Sequence, residues 1–206
     1  MKPKIKENTL VNKQIKPRAR NFARREYITQ VASILFATRG YEASSMRDIA
    51  AEVGIMPASL YHHFSSKEDL LVSVVSESVA KIQRAVDAAI EDIEEPWVRF
   101  TAAILAHVEA LLDREGFQVL VMLTLPPEIS DTARASLISH RNEYERRFTS
   151  LLSAFNTPDG TDQRVLANLI LGMLNSIPIW YKVDGGSSPR EIGQNILSLV
   201  KGAFAQ

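Results

Sequence analysis

The sequence predicts an all-α protein in two parts. A three-helix module with a helix-turn-helix spans 22–70, a helical domain follows over 71–206, and a basic flexible tail over 1–21 precedes both. Three observations predict this. Apolar residues recur at helical spacing along the chain. The stretch Ser45 to Phe64 reads as two short helices joined at Gly54. The formal net charge is zero, yet residues 1–25 hold nine basic side chains against Glu7 alone, leaving 15 basic and 23 acidic residues beyond them.

In chain order, Ile28, Val31, Ala32, Leu35 and Phe36 form the apolar stripe of a first helix. Gly40 ends it, and Tyr41 supplies a hydrophobic contact for the cap. Ser45 begins the second helix, with Asp48 at the spacing of a capping pair and near the positive end of the helix dipole. Ile49, Ala50 and Val53 share one face, and Gly54 supplies the left-handed residue at which the helix stops. Ile55 turns toward the core, and Pro57 suits the first turn of a third helix. Leu60 and Phe64 would bury that helix, leaving Ala58, Ser59, Tyr61, His62 and His63 mostly outward.

Ser65 or Ser66 caps a long fourth helix whose apolar face runs Leu71, Val75, Val79, Ile82, Val86, Ile90 and which ends before Pro96. It starts at the first module and finishes in the second domain, so it links the two physically. Ile104, Leu105, Val108, Leu111 and Leu112 mark a further helix, and a short apolar run from Phe117 to Leu125 stops at Pro126-Pro127. Asp131 to Phe155 is helical, with Tyr144, Phe148, Leu151, Leu152 and Phe155 inward; Asn156 to Asp162 is a turn. The next helix carries Val165, Leu166, Leu169, Ile170, Met173, Leu174 and Ile177, a face broader than one core contact needs. Ser188-Pro189-Arg190-Glu191 opens the last helix as a capping box, and Ile192, Ile196, Leu199, Val200 and Ala203 give it an apolar stripe.

A helix pair joined this tightly is the arrangement that lays a recognition helix in the major groove, and a basic end on an acidic body suits an anionic partner met at one end. An ordinary helical hairpin with an exposed aromatic patch has the same spacing. The surplus apolar surface of the last two helices, about 162–181 and 189–205, predicts a homodimer through them, as a palindromic double-stranded operator requires. With no cysteine there is no disulfide framework and no thiolate nucleophile or metal ligand. His62, His63, His107 and His140 lack metal-ligand spacing, and no phosphate loop or nucleophile motif occurs, so no metal, cofactor, catalytic residue or enzyme activity is expected. No apolar run reaches membrane length and no signal-peptide core opens the chain, so a soluble cytoplasmic protein is expected. A helical lipid-binding adaptor and a small enzyme are the rival readings.

The wording of the segment goes further than its spacing. Met46-Arg47-Asp48-Ile49-Ala50, Val53-Gly54-Ile55, Ser59-Leu60-Tyr61-His62-His63-Phe64 and Ser66-Lys67-Glu68 resemble the DNA-binding domain of the TetR/AcrR (tetracycline-repressor) family, densely across 24–71. The resemblance implies a sequence-specific regulator, released as a repressor from its operator by a small apolar effector. The expected DNA contacts are Ser45, Arg47, Pro57, Ala58, Ser59, Tyr61, His62 and Lys67, the last as a phosphate contact. Pro57 and Ala58 stand where many relatives carry a basic residue and glycine, so base contacts do not transfer directly. The resemblance also implies an effector cavity in the C-terminal domain. Its candidate lining is Val79, Gln83, Ile104, His107, Met122, Arg141, Tyr144, Phe148, Asn175 and Trp180. Leu171-Gly172-Met173-Leu174-Asn175, Trp180-Tyr181 and Ser188-Pro189 are similar to a subgroup of the family that responds to acyl-CoA thioesters, which implies an acyl-CoA effector. Ser176 and Ile179 depart from the bulkier pattern of that subgroup.

Overall fold

The computed structural model describes residues 17–113, 129–155 and 162–204. The tail before Pro17, the Phe117–Leu125 run with Met122, and most of the 156–162 turn lie outside the described residues. Among the described residues there are eight helices and no strand: α1 Pro17–Arg39, α2 Met46–Val53, α3 Pro57–Tyr61, α4 Lys67–Ile90, α5 Pro96–Leu112, α6 Asp131–Leu152, α7 Gln163–Trp180 and α8 Pro189–Phe204. The first helix begins at Pro17, so residues 17–21, expected as tail, are helical.

Two apolar clusters organise the chain. One, the head core, gathers Ile28, Leu35 and Phe36 of α1, Met46 and Ile49 of α2, Leu60 of α3, Phe64, and Leu70, Leu71, Val74 and Val75 of α4. The other, the body core, takes α4 from Val79 to Ile90 and packs it on α5, α6, α7 and α8. A single helix thus serves both cores, burying apolar side chains in each.

A second helix does the same, which sequence periodicity did not reveal. Ala133 and Leu137 of α6, with Ile129 just before it, belong to the head core, while Tyr144, Phe148 and Leu152 on the same α6 belong to the body core. The start of α6 is also tied to the head by polar bonds. Ser130 donates its backbone N–H (2.9 Å) and its hydroxyl (2.7 Å) to the two carboxylate oxygens of Glu68 in the first turn of α4. These bonds hold the Glu68 carboxyl below the usual carboxylate range.

Helix starts follow their caps. Ser66 accepts from the Asp69 N–H at 3.0 Å at the head of α4. Glu95 accepts from Trp97 and Val98 before α5, with Pro96 in first position. The Ser188–Glu191 capping box closes as expected, at 2.7 Å and 3.3 Å. Gly193 lets α8 approach α5 closely: a Cβ there would stand 2.8 Å from the end of the Leu105 side chain, which would have to shift.

Candidate functional site

The helix pair α2–α3 begins with reciprocal capping at the start of α2. The Ser45 N–H donates to Asp48 Oδ2 at 2.9 Å, the Asp48 N–H donates to Ser45 Oγ at 3.2 Å, and the hydroxyl returns a 2.5 Å bond to the carboxylate. That hydroxyl bond, followed by the backbone one, keeps the Asp48 carboxyl below its ordinary value. Gly54 sits at φ +75° with open space around its missing Cβ, so the backbone angle alone requires glycine. Its N–H and that of Ile55 close the end of α2 on Ala51 and Ala50.

α3 is short, five residues from Pro57, and Phe64 lies beyond it in a turn where the Leu60 carbonyl accepts from both His63 and Phe64. Leu60 and Phe64 are buried and anchor it. Arg25 of α1 clamps the far end: its guanidinium donates to the His63 carbonyl, lies 4.0 Å from the Phe64 ring centroid and stands 3.8 Å from Asp69. Burial, then Arg24 and Arg25, push the His63 ring below its ordinary pKa.

Of the expected DNA contacts, Ser45, Arg47, Ala58, Ser59, Tyr61 and His62 are exposed on this head, whereas Pro57 is half-buried. Ser45 is also engaged in the cap. Lys67 is placed differently from the simple phosphate contact expected. Its ammonium donates to the Tyr41 carbonyl at 2.9 Å and lies 4.1 Å from the Tyr41 ring centroid, so one of its three N–H groups is taken and its stem is covered. Burial pushes the Tyr41 phenol up to about 12, and Glu68 and Glu42 add to it. Met56, not among the expected contacts, is 72% exposed immediately before Pro57. The signal for it was its cap position at the entrance of α3.

In the body, a cavity of about 300 Å³ opens among four helices. Val79 and Ile82 of α4 and His107 of α5 form one side; Arg141, Tyr144 and Glu145 of α6 form another. α7 completes it with Asn168, Leu171, Gly172, Asn175, Ser176 and Ile179. Tyr144 Oη and His107 Nδ1 are 2.7 Å apart, with Phe148 edge-on to both rings. Burial lowers His107 from its ordinary 6.5 to about 4, a shift that the Asn175 side chain resists, and burial raises the Tyr144 phenol. His107 Nε2 has no hydrogen-bond partner. Glu145 is buried and accepts from Asn168 Nδ2 at 2.7 Å, with Arg164 3.8 Å away.

Of the candidate cavity residues, Val79, His107, Arg141, Tyr144 and Asn175 line it. Ile104 and Phe148 stand behind it, wholly buried in the core. Gln83, with its amide oxygen turned to Arg147, accepts from that guanidinium at 2.7 and 2.9 Å instead of facing the cavity. Trp180 is exposed at the end of α7, and Met122 lies outside the described residues. Sequence reasoning missed Ile82, Glu145, Asn168, Leu171, Gly172, Ser176 and Ile179 as lining residues. The readable signal was a stripe of small and polar residues, 168, 172, 175 and 176, on an otherwise apolar helix.

Beside that stripe, α7 exposes Val165, Leu169 and Met173, and α8 exposes Leu199. Among the described residues no group of three or more potential metal ligands occurs, and no helix is long and apolar enough to cross a membrane.

Comparison with known proteins adds to this geometry. The profile "Bacterial regulatory proteins, tetR family" matches residues 28–74, and "Tetracyclin repressor-like, C-terminal domain" matches residues 93–203. The HTH-type transcriptional repressor KstR2 of Mycolicibacterium smegmatis is 29% identical over 89% of this chain and 92% of its own. The fatty acid metabolism regulator protein of Bacillus subtilis is 20% identical over 84% of this chain and 91% of its own. Among solved structures, AibR in complex with isovaleryl coenzyme A and operator DNA is similar at a TM-score of 0.76 and 26% identity, covering 85% of this chain and 97% of AibR.

Proposed function

Since the chain belongs to the TetR family of bacterial regulatory proteins, we propose that it is a homodimeric, operator-binding repressor released by a short-chain acyl-CoA. The observation that carries the release step is the sharing of helices. α4 lines the cavity through Val79 and Ile82 while its first turns, from Leu70 to Val75, sit in the head core. α6 lines it through Arg141, Tyr144 and Glu145 while Ile129, Ala133 and Leu137 sit in the head core. A molecule that fills the cavity better in one tilt of these helices favours that tilt, and the tilt carries the head with it. The shift is limited to the difference in its affinity for the two states.

On DNA, Ala58, Ser59 and Met56 at the start of α3 are the base-reading residues, and the Met56 thioether suits a thymine methyl. Arg47, Tyr61, His62 and the remaining donors of Lys67 are the phosphate contacts that set register. Two heads placed about 34–36 Å apart would read two half-sites. The exposed apolar stripes of α7 and α8 are the surface that pairs the two copies. The protein would meet its operator in the cytoplasm.

The effector class rests on the AibR complex with isovaleryl coenzyme A and on cavity size. About 300 Å³ is at the low end of the ~300–1,000 Å³ of small-molecule pockets, which favours a short acyl group over a fused-ring one.

The test is a gel-shift titration with the duplex upstream of the chain's own gene. Binding should fall steeply with salt and should be reversed by isovaleryl-CoA. Binding that survives saturating short-chain acyl-CoAs removes that effector class; no binding to any duplex at low salt removes the repressor itself. Leu169→Glu should give a monomer in light scattering, with weakened operator binding.

A further inference from the structure

Deep in the cavity wall, one polar atom is left without a partner. His107 is wholly buried, its ring forms part of the wall, and its Nε2 is unpaired. Asn175 is in the wall as well and its side chain steadies a proton on the ring, yet no bond between the two meets hydrogen-bond geometry. Buried polar atoms are paired as a rule, so an orphan within the wall of a ligand-sized space points to a ligand that reaches it when the wall shifts.

The tautomer follows from hydrogen-bond accounting. The buried ring is neutral and carries one proton. If that proton were on Nδ1, it would donate to Tyr144, and both the phenol hydrogen and the Nε2 lone pair would be stranded. If the phenol donates to Nδ1 across the 2.7 Å contact, only the Nε2 N–H is left over. The second arrangement strands fewer groups and is favoured. The wall therefore holds one N–H donor fixed by a buried partner, beside the side-chain donors of Arg141, Asn168, Asn175 and Ser176.

We propose that the His107–Tyr144 pair is a carbonyl-recognition element, in which Tyr144 holds the imidazole tautomer and His107 Nε2–H donates to the carbonyl oxygen of an acyl thioester. This rests on the effector reading above and deepens it. The acyl group and its carbonyl fit within about 300 Å³, and the nucleotide end of a CoA stays outside. The free acid is rejected. The lining holds one guanidinium, that of exposed Arg141, while buried Glu145 adds negative charge. A carboxylate would lose its hydration there without a buried cation in return. Desolvation thus separates the thioester from its hydrolysis product, and the N–H separates it from an alkyl thioether of the same shape.

The experiment compares three probes by calorimetry: isovaleryl-CoA, its thioether analogue S-isopentyl-CoA, which lacks the carbonyl oxygen, and isovalerate. The ring signals of His107 are followed by NMR in parallel. The wild type should bind the thioester about tenfold more tightly than the thioether, with a shift of the His107 Nε2–H signal, and should bind isovalerate weakly. His107→Phe should abolish the preference while still binding the thioether. If that variant does not fold, Tyr144→Phe takes its place and should narrow the preference by freeing the tautomer. Equal binding of thioester and thioether by the wild type, or a preference that survives both variants, overturns the inference.

A fourth probe, 4-methyl-2-pentanone, separates this inference from the effector reading. A His107 shift with the ketone but no binding of isovaleryl-CoA leaves the carbonyl element standing and the acyl-CoA reading lost. Release of operator by isovaleryl-CoA with an unmoved His107 signal does the reverse. No shift with either probe sinks the inference.

Discussion

In the head, Ser45 and Asp48 satisfy each other's backbone N–H groups, Gly54 and Ile55 close the end of α2, and Arg25 clamps the end of α3. In the body, a wholly buried histidine keeps one nitrogen unpaired beside a cavity of about 300 Å³, and α7 leaves Leu169 62% exposed. The head is a closed device whose parts are held by short-range bonds. The body is unfinished in two places, and each is a place for a second molecule. A rigid reader and an adaptable sensor need these opposite treatments: the first must present one shape, and the second must have two shapes of similar energy.

The contrast can be tested from its strongest element downward. Phe64→Ala removes the largest anchor beneath α3 and should cost about 3–5 kcal/mol of stability, with loss of operator binding. Phe148→Ala, beside the cavity, should cost less if the space it leaves becomes part of an adaptable pocket. Chemical unfolding of the two variants measures this, and equal losses would break the contrast.

Acid tests the body most strongly, since His107 is the more deeply buried of the two histidines held below their ordinary value. His107 has a folded pKa of about 4 against an ordinary 6.5, so between these values the unfolded chain binds a proton that the folded chain does not. Stability is therefore complete above about pH 6.5 and falls as the pH drops toward 4, by on the order of 3 kcal/mol. His107→Phe should flatten that slope in urea titrations across pH. An unchanged slope would place the acid sensitivity elsewhere.

Smaller effects sharpen the account of the head. Gly54→Ala meets no steric neighbour, so its cost is the left-handed backbone alone, about 1–2 kcal/mol. Ser45→Ala opens the capping box and should cost about 1 kcal/mol. Thermal unfolding reads both. The ordering sought is Gly54→Ala at or above Ser45→Ala, with both far below Phe64→Ala.

Much of the head was legible because its determinants are local. Ser45, Asp48, Gly54 and Pro57 act within one or two helical turns of themselves, so spacing alone located the caps and the turn. Leu60 and Phe64 were readable as anchors for the same reason. Lys67 was not: its partner Tyr41 lies 26 residues away, and a contact at that distance leaves no period in the sequence. In the body, the outward surplus of α7 was visible as too broad an apolar face. The cavity set was only partly visible, since helical phase cannot tell core from cavity wall. Ile104 and Phe148 have the same inward phase as His107, yet they back the wall rather than line it.

By itself, then, the sequence determined the order of the helices, the caps at Ser45, Ser66 and Ser188, the glycine turn and the family, because each is written in residues a few positions apart. Tertiary structure alone decided that α6 joins α4 in spanning both cores, that Ser130 bonds to Glu68 across 62 positions, and that His107 meets Tyr144 but leaves Nε2 unpaired. The physical reason is that pairing and cavities are properties of the space between helices. That space is set by how several apolar faces pack together at once, and no single face encodes it.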